Sequence, residues 1–171
     1  MRRMGLKVGE VKLEKWTSKW REGFEDEKRN LQSIFGELAL DIQHIGSTSV
    51  EGLDAKPIVD IAIGLNDLSD FEKVRQKFES LVDYSVKVED NNPGEILVRK
   101  GTEENRTHFI HIMKQNSKEM CEVIKFRDIL RTDPGVREQY SQLKRELAKK
   151  FPYDRKKYTA SKSDFIKVHV R

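Results

Sequence analysis

The chain is poor in the residues that staple, span or loosen a protein. Cys121 is the one cysteine among 171 residues. It has no partner for an internal disulfide and excludes a cysteine-based zinc cluster, which suits a reducing compartment. Four prolines and ten glycines form no Pro- or Gly-rich linker, and there is no repeat and no low-complexity segment. No apolar run approaches the roughly 20 residues of a membrane span, and the best stretch, residues 57–65, carries Asp60 inside it. The first residues, Met-Arg-Arg-Met-Gly-Leu-Lys, lack the apolar centre of a signal peptide. These absences predict a cytoplasmic protein with no membrane partner.

What is present reads as globular. Apolar residues make up 36% of the chain and charged residues another 36%, with no bias of the kind that keeps a chain unfolded. At roughly 150 residues per domain the length predicts a single domain over 1–171. Its sheet core is expected over about 11–113 and a helical C-terminal part over about 114–171. Charge is distributed unevenly between the two. Residues 114–171 hold 16 Lys and Arg against eight Asp and Glu, whereas residues 1–113 hold 17 against 21. A C-terminal third with a net charge of +8 points to an anionic partner (phosphate, nucleotide or RNA) or to a solvated basic surface.

Apolar spacing and caps predict the elements. Thr17 or Ser18 caps a helix to about Phe35, with Trp20, Phe24, Leu31 and Phe35 on one face and Gly36 ending it. Strands follow over 38–45 and 57–64, the second apolar at nearly every position, as in a strand covered on both faces. Ser69 and Glu72 form a capping box for a helix striped by Phe71, Val74, Phe78 and Leu81. Strands 84–89 and 95–100 make a hairpin around Asn91-Asn-Pro-Gly94, and 107–113 is the last strand. Helices follow at 117–131, from Asp133-Pro134 to near Phe151, and over about 156–169. The fold class is α+β: a mixed sheet of about five strands flanked by helices, with a C-terminal helical cluster.

Three segments hold chemistry-bearing residues. In His44-Ile-Gly-Ser-Thr-Ser49 a strand enters a glycine and three hydroxyl residues. That suits a phosphate cradle in which Gly46 admits close backbone approach and Ser47, Thr48 and Ser49 donate; it is also ordinary loop composition. In Lys56-Pro-Ile-Val-Asp-Ile-Ala-Ile63, Asp60 lies in an aliphatic run. There an ionised carboxylate needs a metal or an ion-pair partner such as Lys56 or Arg106. In Arg106-Thr-His-Phe-Ile-His-Ile-Met113, His108 and His111 are three apart and point to opposite faces of a strand. His111 then shares a face with Phe109 and Met113, as a ligand, an acid–base group or a hydrogen-bonded core residue; His108 and His44 are weaker candidates. Arg127 and Arg131, at i and i+4, present one basic helix face to a phosphate or to neighbouring carboxylates, with Lys144, Arg155 and Lys162 as additions.

Together these segments resemble the GrpB family. The resemblance is carried by His44-Ile-Gly-Ser-Thr-Ser-Val-Glu-Gly-Leu53, Ala55-Lys-Pro-Ile-Val-Asp-Ile61, Thr107-His-Phe-Ile-His-Ile112, Phe126-Arg-Asp-Ile-Leu-Arg131, Tyr140-Ser-Gln-Leu-Lys144 and the tail residues Tyr158, Lys162 and Phe165. It spans about 11–166 and implies a branch of the nucleotidyltransferase superfamily, in which strand carboxylates hold Mg²⁺ and a Gly-Ser turn holds a triphosphate. Glu51 departs from the family's usual proline. Ala62 stands where the superfamily places a second carboxylate, so Asp60 with His111 is the only metal-ligand pair implied.

The resulting expectation is a metal-dependent nucleotidyl- or phosphoryl-transferase. Asp60 and Ser47 would be catalytic, Asp60 and His111 would hold Mg²⁺ or Mn²⁺, and Gly46, Ser47, Thr48, Ser49, Lys56, Arg127 and Arg131 would hold the phosphates. The alternative is a non-catalytic module for a nucleotide or a coenzyme A-like phosphate, with RNA binding a third reading.

Overall fold

The fold is described from a computed structural model over residues 4–88 and 94–171, excluding the side chain of Val88. Asn91, Asn92 and Pro93 of the expected hairpin turn lie outside the described residues. Helix α1, Ser18–Phe35, starts where Thr17 accepts a hydrogen bond from Lys19 N and ends at Gly36. Strands β1, Asp41–Ile45, and β2, Val59–Leu65, follow, separated by a single 3₁₀ turn at Ser47–Ser49. Next come helix α2, Glu72–Glu79, and strands β3, Tyr84–Val88, β4, Glu95–Gly101, and β5, Arg106–Lys114. Four helices close the chain: α3, Lys118–Thr132; α4, Pro134–Lys150; α5, Arg155–Ala160; and α6, Ser163–Val170.

Three local expectations are corrected. Leu81, expected on the apolar stripe of α2, lies beyond the helix end at Glu79 and is exposed. The capping box at Ser69 and Glu72 does not form. Asp67 accepts from Ser69 N instead, and the Glu72 carboxylate is occupied by Arg75. The predicted last helix is two, α5 and α6, interrupted at Ser161 and Lys162. The break turns Tyr158 inward, where it is 1% exposed.

The five strands form one mixed sheet in the order β1-β2-β5-β4-β3, with β2 and β5 parallel and the other neighbours antiparallel. Strand alternation divides the residues of β2 between two layers. Val59, Ile61, Ile63 and Leu65 pack with Trp20, Phe24, Leu31 and Phe35 of α1 and with Phe71, Val74 and Phe78. Ala62 faces the opposite way and packs with Ile45, Met113 and Met120 of α3. So β2 is covered on both faces, and Asp60 emerges at the end of the α3 side where the cover stops.

Candidate functional site

The site forms around Asp60 because three segments meet there. Antiparallel pairing sets Ile45 opposite Asp60, so the turn after β1 falls beside the carboxylate. Gly46 has φ +69°, and a Cβ at this position would lie 2.6 Å from Asp60 Oδ2, so only glycine fits. Within the turn, Ser49 Oγ donates to the Gly46 carbonyl at 2.6 Å, and Thr48 Oγ1 bonds His44 Nε2 at 3.0 Å. These two hydroxyls hold the turn in shape. Ser47, the remaining hydroxyl of the three, is half-buried.

His111 reaches the carboxylate from β5. Its Nε2 lies 3.5 Å from Asp60 Oδ1, at the long end of hydrogen bonding, and its Nδ1 bonds Glu95 of β4. Burial alone would lower the imidazole pKa. The hydrogen bonds to Asp60 and Glu95 outweigh burial and push it up to about 10. His111 is therefore an imidazolium between two carboxylates at neutral pH. Burial likewise opposes ionisation of Asp60, but the hydrogen bond with His111, together with Lys56 and Lys162, holds its carboxyl below the usual range. The site stays open to solvent: the Asp60 side chain is 31% exposed and that of His111 25%. His108, as its spacing predicts, faces the opposite layer and is buried.

Cations outnumber carboxylates on the remaining sides. Lys56 and Lys162 place their ammonium groups over the Tyr158 ring, 5.2 and 4.6 Å from its centroid. Burial, then the charges of Lys162 and Arg155, pushes Lys56 down to about 7. Arg155 lies over Phe109 at 6.0 Å and donates to the carbonyls of Lys7 and Glu10. It feels the charges of Arg106, Asp60, Glu10 and Arg99. Among the described residues, buried Arg106 Nη1 finds no hydrogen-bond partner. Lys144, 1% exposed, donates to the Asp54 carbonyl and senses Lys162, the Asp54 carboxylate and Lys56. A cluster of this kind is costly unless an anion joins it.

Of the residues expected from sequence, Gly46, Ser47, Lys56, Asp60 and His111 come together. Arg127 and Arg131 brace the turn from outside. Buried Arg127 bonds Gln43 Oε1 at 2.7 Å and the His44 carbonyl at 3.1 Å, and Arg131 donates to the Ser49 carbonyl at 2.9 Å. Reading the sequence missed Glu95, Tyr158 and the place of Arg155, which arrive by strand pairing and by the C-terminal helices folding back.

The donor set as it stands does not fit a divalent metal. Among the described residues no group of three or more His, Cys, Asp and Glu side chains is arranged to hold one. Both ring nitrogens of His111 are engaged, Nε2 toward Asp60 and Nδ1 by Glu95, so a metal would have to displace one of these contacts. Position 62 also has a physical reason to lack a second carboxylate. Ala62 is 0% exposed and packs with Ile45, Met113 and Met120, where a carboxylate would have to give up its water.

Comparisons with known proteins agree with this architecture. The family model described as GrpB protein matches residues 10–171. The Glutamate-rich protein GrpB of Alkalihalophilus pseudofirmus is 35% identical over 166 residues, covering 95% of each chain. The UPF0157 protein YqkA of Bacillus subtilis is 32% identical over 158 residues, 92% of this chain and 46% of that one. The crystal structure of conserved protein GrpB from Enterococcus faecalis superposes with a TM-score of 0.84 at 34% identity, over 93% of this chain and 94% of that one. A sheet of this order, a glycine turn packed on a strand carboxylate and a match over nearly the full length leave one assignment: the chain belongs to the GrpB family.

Proposed function

We propose that the chain binds a phosphate-bearing small molecule, a nucleotide by class, in the cleft between the Gly46–Ser47 turn, Asp60 and the cations of the C-terminal helices. The observation that carries this reading is the excess of positive charge. Lys56, Lys162 and Arg155 surround Asp60, while Asp60 and Glu95 are both engaged by His111. A phosphate group supplies the missing negative charge and accepts from donors of the Lys and Arg type. Ser47 follows Gly46 in the turn as a half-buried hydroxyl residue, and Gly46 removes the side chain that would block approach.

The test is a thermal-unfolding titration with inorganic triphosphate and with ATP, each in EDTA and in Mg²⁺. At about 100 times the dissociation constant a ligand stabilises by roughly 2.7 kcal/mol. The reading expects a shift in EDTA that Lys56→Met and Arg155→Met weaken and that Asp60→Asn preserves or strengthens, since that change removes a repelling charge. No shift with either ligand overturns it.

A metal-dependent transferase is the second reading, favoured by how close the Gly46 backbone comes to Asp60, where even a Cβ would lie 2.6 Å from Oδ2. It requires His111 to surrender its proton to free a ligand pair. Its signature is a shift that needs Mg²⁺ or Mn²⁺ and disappears in Asp60→Asn.

A further inference from the structure

Beside the Gly46–Ser49 turn lies a cleft of about 390 Å³, walled by Trp16, Arg21, Phe24, His44, Glu51 and Arg131 among others. We infer that this cleft is the subsite for a planar heterocycle, the base of a nucleotide whose phosphates sit at Ser47 and the Asp60 cations. The inference rests on the phosphate-site reading above and extends it to the other end of the ligand.

Three observations carry it. First, the walls present two flat pairs. The Arg21 guanidinium lies over the Trp16 ring at 5.4 Å, and Phe24 stacks on His44 at 4.8 Å with an interplanar angle of 11°. Flat, polarisable walls favour a flat, polarisable guest. Second, the walls are fixed before any ligand arrives. Trp16 Nε1 donates to the Thr48 carbonyl at 3.2 Å, His44 Nε2 bonds Thr48 Oγ1 at 3.0 Å, and Arg131 holds the Ser49 carbonyl at 2.9 Å. Each of these bonds runs to the turn whose Gly46 lies against Asp60. Third, the charge here is balanced where that of the Asp60 cleft is not. Arg21 pairs with Glu51 at 3.1 Å, and burial keeps His44 neutral at physiological pH. A neutral aromatic group suits this end and an anionic group the other. The Glu51 carboxylate at the rim adds an acceptor for an exocyclic amino group. At about 390 Å³ the cleft falls in the size range of small-molecule sites.

The chain has two tryptophans, and Trp20 is buried under the sheet at 2% exposure, so Trp16 is the one that reports on this cleft. The experiment titrates wild type, Trp16→Leu and Arg21→Gln with inorganic triphosphate, ATP and UTP in EDTA. It reads tryptophan fluorescence and calorimetric affinity, with melting temperature as the check on folding. The Arg21 side chain is 61% exposed, so Arg21→Gln leaves the fold intact where Trp16→Leu alone could not guarantee it. The expected result is quenching by ATP but not by triphosphate. ATP should also bind about tenfold or more tighter than triphosphate, the scale of one stacked base. Both variants should lose that preference and keep triphosphate binding. Equal affinity of ATP and triphosphate for wild type, without quenching, overturns the base subsite while leaving the phosphate site standing. A preference for ATP that survives both variants also overturns it, by moving the base elsewhere. Failure of all three compounds to bind overturns the phosphate reading and this inference with it.

Discussion

A methyl group added to Gly46 would lie 2.6 Å from Asp60 Oδ2, on a backbone at φ +69°. Gly46→Ala is therefore expected to cost at least ~1 kcal/mol, measured by urea denaturation, because strain and steric conflict act together. Lys56 makes a prediction in pH. With its ammonium pushed down to about 7 by burial and by Lys162 and Arg155, it is charged at pH 6 and largely neutral at pH 8. Affinity for inorganic triphosphate, measured by calorimetry, is expected to fall across that interval, and binding near pH 8 should take up a proton from buffer where binding at pH 6 does not. Lys56→Met should flatten both. Some of this site was legible at single positions: a glycine ahead of hydroxyls, and a carboxylate in an aliphatic strand. Glu95 was not, since nothing local distinguishes it from other surface glutamates. Only the register of β4 on β5, which sets Leu97 opposite His111, brings it to the imidazole.

Helices that carry their own caps were the most readable elements. Asp133 accepts from Val136 N at 3.0 Å, with Pro134 in the first turn of α4. Asp133→Ala should cost about 1 kcal/mol of stability by thermal melt, the usual worth of such a cap. The element boundary that sequence pattern misplaced, the break at 161–162 between α5 and α6, depends on tertiary packing. Apolar spacing runs on through it, but Tyr158 is drawn toward Val11 and Leu147, whereas Val170 of α6 packs with Val50, Leu53 and Phe126. The bracing of β1 by α3 was half-visible, as a basic helix face without an address. Arg127→Ala removes bonds to Gln43 and to the His44 carbonyl and leaves buried acceptors unpaired. A loss of about 2 kcal/mol is expected by urea denaturation, along with weaker ATP binding as the turn loosens.

Across the whole molecule, two titrations oppose each other in one pH window. The His111 pKa is raised from 6.5 to about 10, so its contribution is complete below pH 6.5 and is lost as pH rises toward 10. The Lys56 pKa is lowered from 10.5 to about 7, so the unfolded chain binds the extra proton between those values and stability rises with pH there. The difference in stability between wild type and His111→Gln, on the order of 3 kcal/mol near pH 7, is expected to shrink steadily toward pH 10. For Lys56→Met the difference should change in the opposite sense, and both are measurable from urea midpoints at several pH values. The uneven charge of the sequence also finds part of its meaning at this scale. The basic C-terminal third turns Lys144, Arg155 and Lys162 toward Asp60 and Lys56, an address that composition signals but does not locate. Arg155 is also tied to the carbonyls of Lys7 and Glu10, and Val11 N donates to the Pro152 carbonyl. The two ends of the chain thus close on each other over the site. During synthesis, a ribosome would release the turn, the carboxylate and the imidazole long before the residues that complete the cleft. On the reading proposed above, a chain that stops short of Arg155 lacks two of the three Lys and Arg side chains around Asp60 and is expected not to bind triphosphate.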